Sequence, residues 1–223
     1  MLLARAPVRV SFAGGGTDLP SYYSKYGGFV VTSAINRYVY INLNTPQADD
    51  LIRVKYSKSE QVDHPDDVKH PLVREALKLT GFHKNIEIST MADVPAGTGM
   101  GTSGSFLIAL LAGLHALKRN HMPTQALAEE ACKIEIEVLK ERVGKQDQYI
   151  AAFGGLISME IDKGGRVAVT PLNVSQDVFD ELESSICLYY TGVLRNSWDI
   201  HADQDRGAAN DDLQVLQSLH IIK

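Results

Sequence analysis

Between Asp93 and Ser105 the chain reads Asp-Val-Pro-Ala-Gly-Thr-Gly-Met-Gly-Thr-Ser-Gly-Ser, and a strongly apolar run, Phe106 to Leu117, follows at once. No other feature constrains the fold as tightly. The run places apolar residues on every face of a helix, which marks a helix buried inside a domain. A loop of glycines and hydroxyls entering such a helix is how a phosphate cradle is built. Gly97, Gly99 and Gly101 let the backbone turn tightly and approach an anion closely. A helix starting near Ser103 would aim its unpaired N–H groups and positive dipole end at that anion. Thr102, Ser103 and Ser105 add hydroxyls that could hold phosphate or Mg²⁺. The ordinary P-loop needs a lysine directly after its last glycine, whereas the next lysine here is Lys118. The segment is therefore a different nucleotide loop, or a linker with Ser103 as a plain N-cap.

The rest of the chain supplies a mixed frame. Val8 to Phe12, Ile52 to Tyr56 and Ile86 to Thr90 read as strands, and Val30 to Leu43 reads as one or two strands with a bend near Asn36 and Arg37. Pro71 to Leu79 has helical spacing. Gln125 to Lys140 reads as one helix with Ala126, Leu127, Ala131, Ile134 and Val138 on a stripe. Leu156 to Ile161 and Val167 to Leu172 form a hairpin around Lys163-Gly-Gly165, Ser185 to Thr191 is a further strand, and Trp198 onward is polar and helical in character. The net charge of -5 argues against a protein that coats nucleic acid, though a local basic patch could still hold a phosphorylated small molecule. Cys132 and Cys187 stand alone without metal spacing, which fits a reducing cytoplasm, and no segment has the length of a signal peptide or a membrane span.

Two further constellations could carry chemistry. In Ala6-Pro-Val-Arg-Val-Ser-Phe-Ala-Gly-Gly-Gly-Thr-Asp18 a strand delivers a cation, Arg9, and ends in a glycine loop with a carboxylate, Asp18, suited to sugar hydroxyls. The plainer reading makes Arg9 a surface residue and Asp18 a turn or helix cap. Glu135 with Glu137, followed by Gly144-Lys-Gln-Asp147, could bring one carboxylate to Mg²⁺ and another to a substrate hydroxyl, as phosphoryl transfer needs. Taken alone, these are solvated helix charges and a turn residue.

Together, Ala6-Pro-Val-Arg-Val with its Gly-Gly-Thr-Asp loop, Pro95-Ala-Gly-Thr-Gly-Met-Gly-Thr-Ser103 and Gly144-Lys-Gln-Asp-Gln-Tyr with Ala151-Ala-Phe-Gly-Gly155 resemble the GHMP kinases in order and spacing. Within that family the chain is most similar to the bacterial D-glycero-D-manno-heptose 7-phosphate kinases, through Phe12-Ala-Gly-Gly-Gly-Thr-Asp-Leu-Pro-Ser-Tyr22, Gly144 to Tyr149 and Tyr190-Thr-Gly-Val-Leu-Arg195. The resemblance implies an α+β fold. Residues 1–180 would form an N-terminal ATP-binding domain like the second domain of ribosomal protein S5, with a left-handed βαβ crossover. Residues 181–223 would begin a ferredoxin-like C-terminal domain, left incomplete because the family's third motif is absent.

The resemblance further implies ATP bound by Pro95, Gly97, Thr98, Gly99, Met100, Gly101, Thr102, Ser103, Gly104 and Ser105, and Mg²⁺ held by Ser103 and Glu135. Asp147 would be the base or the carboxylate that orients the attacking hydroxyl, and Arg9 would steady the transferring phosphoryl group. Gly15, Gly16, Thr17, Asp18, Lys145 and Gln146 would bind the sugar. Arg37, Lys145 and Arg195 are candidate cations for the acceptor's far end, and Tyr56, Ser57 and Lys58 are candidates for the adenine pocket. The implied reaction phosphorylates the anomeric hydroxyl of a heptose 7-phosphate on the way to a nucleotide-activated heptose for surface polysaccharide. A free sugar acceptor or a non-turning-over sugar sensor are the alternatives. The implied partner is a small sugar phosphate, with neither nucleic acid nor membrane, and a homodimer is allowed.

Overall fold

A computed structural model describes residues 1–190, 192 and 212–223. Its elements are β1 (Leu2–Ala13), α1 (Pro20–Tyr26), β2 (Gly28–Asn44), β3 (Ile52–Lys55), β4 (Ser59–Val62), α2 (Pro71–Thr80), β5 (Ile86–Ala92) and α3 (Thr102–Leu117). They continue with α4 (Thr124–Cys132), α5 (Gln146–Phe153), β6 (Leu156–Ile161), β7 (Val167–Pro171), α6 (Gln176–Ser185) and a C-terminal helix (Leu213–Ile222).

The sheet is organised around β2. One of its edges carries β1, with Leu2 opposite Leu43 and Ala13 opposite Val31. Its other edge is divided: Gly28 to Ser33 pair with β6, and Val39 to Asn44 pair with β5. The full order is β4-β3-β5-β2-β6-β7, with β1 off this path on β2. All described pairings are antiparallel except β3 with β5, which α2 connects.

The expected bend near Asn36 and Arg37 is real, but it lies within one strand. Across it the register slips, so that Pro7 faces Tyr38 while Arg9 faces Ala34. Before the slip the β2 side chains buried to 1% exposure or less are Val30 and Thr32, and after it they are Val39, Ile41 and Leu43. An uninterrupted pleat would turn one of these sets outward, because a one-residue slip exchanges the two faces. The bulge restores both to the helix-covered face. Pro7, which has no N–H to give a ladder, sits at the irregularity.

The larger core joins Val39, Ile41 and Leu43 to Ile52, Ile86, Ile88 and the helices α2 and α3. Leu107, Leu110, Leu111 and Leu114 of α3 are completely buried, and each such side chain stabilises the fold by about 1.5–3 kcal/mol. A second core sets Val30, Ile157, Met159 and Ile161 against Ala128, Cys132, Tyr149 and Ile150 of α4 and α5. The loop before α3 and the start of α5 therefore rest on rigid supports.

Three expectations differ. The single helix over 125–140 is an α-helix only to Cys132 and continues as a π-helical turn, Lys133–Val138. Its widened turn moves Val138 out of the expected stripe, to 48% exposure. The small-residue stretch leading to Gly154, to which the sequence assigns no element, is a helix, α5. In place of a strand over 185–191, residues 176–185 form a helix whose Ser175 hydroxyl accepts the Val178 N–H at 3.4 Å, and 186–190 are irregular. Thr191, Arg195 and the segment from Trp198 to residue 211 lie outside the described residues. No helix among the described residues is long and apolar enough to cross a membrane, and Cys132 and Cys187 are free thiols, buried and exposed respectively.

Candidate active site

The glycine loop enters α3 without a side-chain cap. Gly97, Gly99 and Gly101 have φ of 80°, 74° and 73°, a left-handed conformation that glycine adopts without strain. Gly101 is the N-cap of α3 and no side chain bonds its first turn. The first-turn N–H groups and the positive end of a 16-residue helix thus point into the space in front of the loop. Thr98 Oγ1 donates to Pro95 O at 3.1 Å, which folds the loop on itself. Met100 buries its side chain in the core and offers only its carbonyl, which accepts the Arg9 N–H at 3.1 Å. Ser105 is buried, and its hydroxyl donates to Pro7 O at 2.6 Å and to Gly101 O at 3.1 Å. Ser105 therefore fastens the helix to β1, while Ser103 is exposed and Thr102 Oγ1 is buried with no partner.

The β1 bulge delivers Arg9 to the same place. Its Nε and Nη2 each lie 2.7 Å from Asp147 Oδ1, and its Nη1 donates to Gly99 O at 2.6 Å. One guanidinium thus joins the loop to the first turn of α5 across 138 residues of sequence. A Cβ on Gly101 would lie 2.9 Å from Asp147 Cγ. The absence of a side chain there is what allows the carboxylate to lie against the loop.

Glu135 reaches the site from the π-turn. It is 2% exposed, whereas Glu137 is exposed, so the turn buries the first acid and leaves the second in solvent. Burial is the main reason its carboxyl is pushed up to about 7. The Gln148 amide and Ser103 hydroxyl, both hydrogen-bonded to it, pull the other way, and the charges of Asp147 and Glu141 add to the rise. Gln148 Oε1 is buried and unpartnered. A carboxyl beside a serine hydroxyl and one orphaned amide oxygen is an all-oxygen donor set, which suits a hard divalent cation such as Mg²⁺.

The residues expected to bind the sugar lie mostly behind this surface. Thr17 is fully buried and its hydroxyl donates to Gly14 O at 2.7 Å and Phe29 O at 2.9 Å. Asp18 accepts from backbone N–H groups on both oxygens. Gln146 Nε2 donates to Thr32 Oγ1 at 3.1 Å. Lys145 Nζ donates to Gly165 O at 2.6 Å and pairs with Glu129 at 3.2 Å. Of this set, Gly15 is the most accessible, with Gly16 buried beside it.

A cavity of about 550 Å³ runs from Arg9, Asp147 and Ser103 along the glycine loop to Tyr56, Ser57, His70, Leu72 and Phe106. Tyr56 and Ser57 line it, and Lys58 does not. His70 and Phe106 escape the sequence reading. The His70 ring stacks on Phe106 with centroids 5.0 Å apart and meets Tyr56 edge-on at 4.8 Å, and burial holds its pKa below the usual histidine value. A histidine heading a proline-started helix carries no sequence signal for an aromatic pocket. Arg37 lines a different cavity, between the β1–β2 pair and α6.

Residues 66–155 match the family model of the GHMP kinases N terminal domain. The chain is 29% identical to the D-glycero-alpha-D-manno-heptose 7-phosphate kinase of Campylobacter jejuni, over 98% of this chain and 67% of that protein. It is 27% identical to the bifunctional fucokinase/GDP-fucose pyrophosphorylase of Arabidopsis thaliana, over 85% of this chain but only 20% of that protein. Its structure superimposes with a TM-score of 0.79 and 26% identity on a D-glycero-D-manno-heptose 1-phosphate kinase from Bacteroides thetaiotaomicron, covering 98% of this chain and 76% of that one.

Proposed function

We propose that the chain, which matches the GHMP kinases N terminal domain over residues 66–155, serves an ATP-dependent kinase of that family that phosphorylates the anomeric hydroxyl of D-glycero-D-manno-heptose 7-phosphate. The product is the 1,7-bisphosphate, destined for a nucleotide-activated heptose and surface polysaccharide. In this reading residues 1–180 are the ATP-binding domain and 181–223 begin the domain that completes the cleft.

The observation that carries the reading is the Arg9–Asp147 ion pair lying on the glycine loop at one end of the cavity. The base stacks toward Tyr56, His70 and Phe106, and the phosphates lie over Gly97 to Ser103 against the first-turn N–H groups of α3. Ser103 and Glu135 would hold a Mg²⁺, which supplies charge neutralisation for the phosphate oxygens. Asp147 accepts the proton of the attacking hydroxyl or orients it, and Arg9 turns part of its hydrogen bonding to the transferring phosphoryl group. Positioning and charge are most of what such a transfer requires. The acceptor lies against the Gly15 and Gly16 wall, which Thr17, Asp18, Lys145 and Gln146 shape from behind.

The two heptose kinases named above differ in which phosphate their names give to the substrate, and either transfer would yield a bisphosphate. The test therefore supplies the full-length enzyme with ATP, Mg²⁺ and either the 7-phosphate or the 1-phosphate, and follows each by ³¹P NMR. Consumption of the 7-phosphate alone is expected. Turnover of the 1-phosphate alone, or only of an unphosphorylated sugar such as fucose, overturns the substrate assignment. Fucose is the second reading because of the similarity to the Arabidopsis fucokinase.

A further inference from the structure

Asp18 lies at the end of the β1 loop and is 6% exposed. Its Oδ1 accepts the Gly16 N–H at 3.0 Å and its Oδ2 accepts the Gln146 N–H at 3.0 Å. One side chain therefore fastens the β1 loop to the first residue of α5, the residue immediately before Asp147. The fit is close on its third side too: a Cβ on Gly144 would come within 1.8 Å of Asp18 Oδ2. Neighbouring polar groups are already in use, Thr17 on Gly14 and Phe29, and Gln146 on Thr32. Burial raises the Asp18 pKa and the backbone N–H bonds oppose the rise, so the fastening is strongest in the ionised form.

Arg9 holds Asp147 from the other side at 2.7 Å. The Asp147 carboxylate is thus set by two opposed grips, a guanidinium on its Oδ1 and a buried carboxylate on the N–H of the preceding residue, Gln146. We infer that Asp18 is a positioning residue, fixing Asp147 through the N-terminus of α5. The inference rests on the kinase reading above, in which Asp147 meets the attacking hydroxyl. A misplacement of about 1 Å at such a group lowers the rate by roughly 10²-fold.

The test uses the full-length enzyme with whichever sugar the wild type turns over, and wild-type turnover is the separate check on the kinase reading. Asp18→Asn keeps the shape but sets an amide N–H₂ against one of the two backbone donors. It is expected to lower kcat by about 10- to 100-fold while the KM for acceptor and for ATP stay within about threefold. Gly144→Ala presses on the same carboxylate and should give the same kcat-selective loss should Asp18→Asn fail to fold. The double variant Asp18→Ala/Gly144→Ala should lose no more than Asp18→Ala alone, since the clash disappears with the carboxylate. Amide exchange over 144–147 should quicken in Asp18→Asn, a readout independent of turnover. A rise of about tenfold or more in acceptor KM with kcat retained would make Asp18 a sugar ligand and overturn the inference. Unchanged kcat, or unchanged exchange over 144–147, overturns it as well.

Discussion

The two walls of the site are built on opposite principles. The glycine-loop wall leaves polar groups unused: the first turn of α3 has no side-chain cap and Thr102 Oγ1 has no partner. The Gly14–Asp18 wall is saturated, with Thr17, Asp18 and Gln146 bonded to one another's backbones and neighbours. A wall with unpaired donors is prepared for an anionic ligand, because unsatisfied groups are tolerated only where something else completes them. A saturated wall supplies shape. Asp147 stands where the two meet, touching Arg9 and packed on Gly101.

The largest test of this contrast is Asp147→Asn. Loss of a general base lowers kcat by roughly 10²–10⁴-fold, with ATP affinity by calorimetry nearly unchanged, since the loop is untouched. A rate within tenfold of wild type would remove Asp147 from the mechanism.

Next in size is the acid behind the open wall. Burial pushes the Glu135 carboxyl up to about 7 in the folded protein, against the ordinary glutamate value of 4.5. Between these values the folded protein binds the extra proton, so stability falls as pH rises from about 4.5 to 7 and is flat above. The change is on the order of 3 kcal/mol as an upper figure for so buried a group. Thermal melts of metal-free enzyme across this range should slope downward, and those of Glu135→Gln should be flatter. Equal slopes would mean that Glu135 is ionised throughout.

Gly101→Ala attacks the junction itself. It combines a strained backbone conformation, φ 73°, with a contact of 2.9 Å to Asp147. A penalty of about 1–3 kcal/mol, borne by the ligand-bound loop, corresponds to ATP binding weaker by about 5- to 150-fold, and wild-type affinity would show that the loop yields freely. The smallest effect is assigned to Ser105→Ala, which loses two backbone contacts of a buried hydroxyl. Stability should fall by about 1–2 kcal/mol while the KM for ATP stays within about twofold. A tenfold rise in that KM would return Ser105 to the phosphate ligands.

Much of the frame was legible along the chain. The alternation of β2 and the apolar run of α3 are visible because burial on one face or on all faces leaves a period in the sequence. The parity change inside β2 was not legible as such, since a bulge is set by the strand that pairs with it. The π-turn was hidden for a similar reason: Glu135 and Glu137 are two residues apart in one acidic helix, and tertiary packing selected the first for burial. Helix α6 leaves little signal because its apolar residues, Val178, Phe179 and Leu182, are few and lie among acids.

By itself the sequence determined the loop. Glycines at 97, 99 and 101 before a helix with no polar face allow few other structures, because backbone freedom and burial are local demands that residue type must meet. Only the tertiary structure decided which distant residues complete it. Arg9 meets Asp147 because a bulge turns one strand and a buried carboxylate holds one helix end. Those are relations between segments more than a hundred residues apart, and they exist only once hydrophobic burial has brought the segments together.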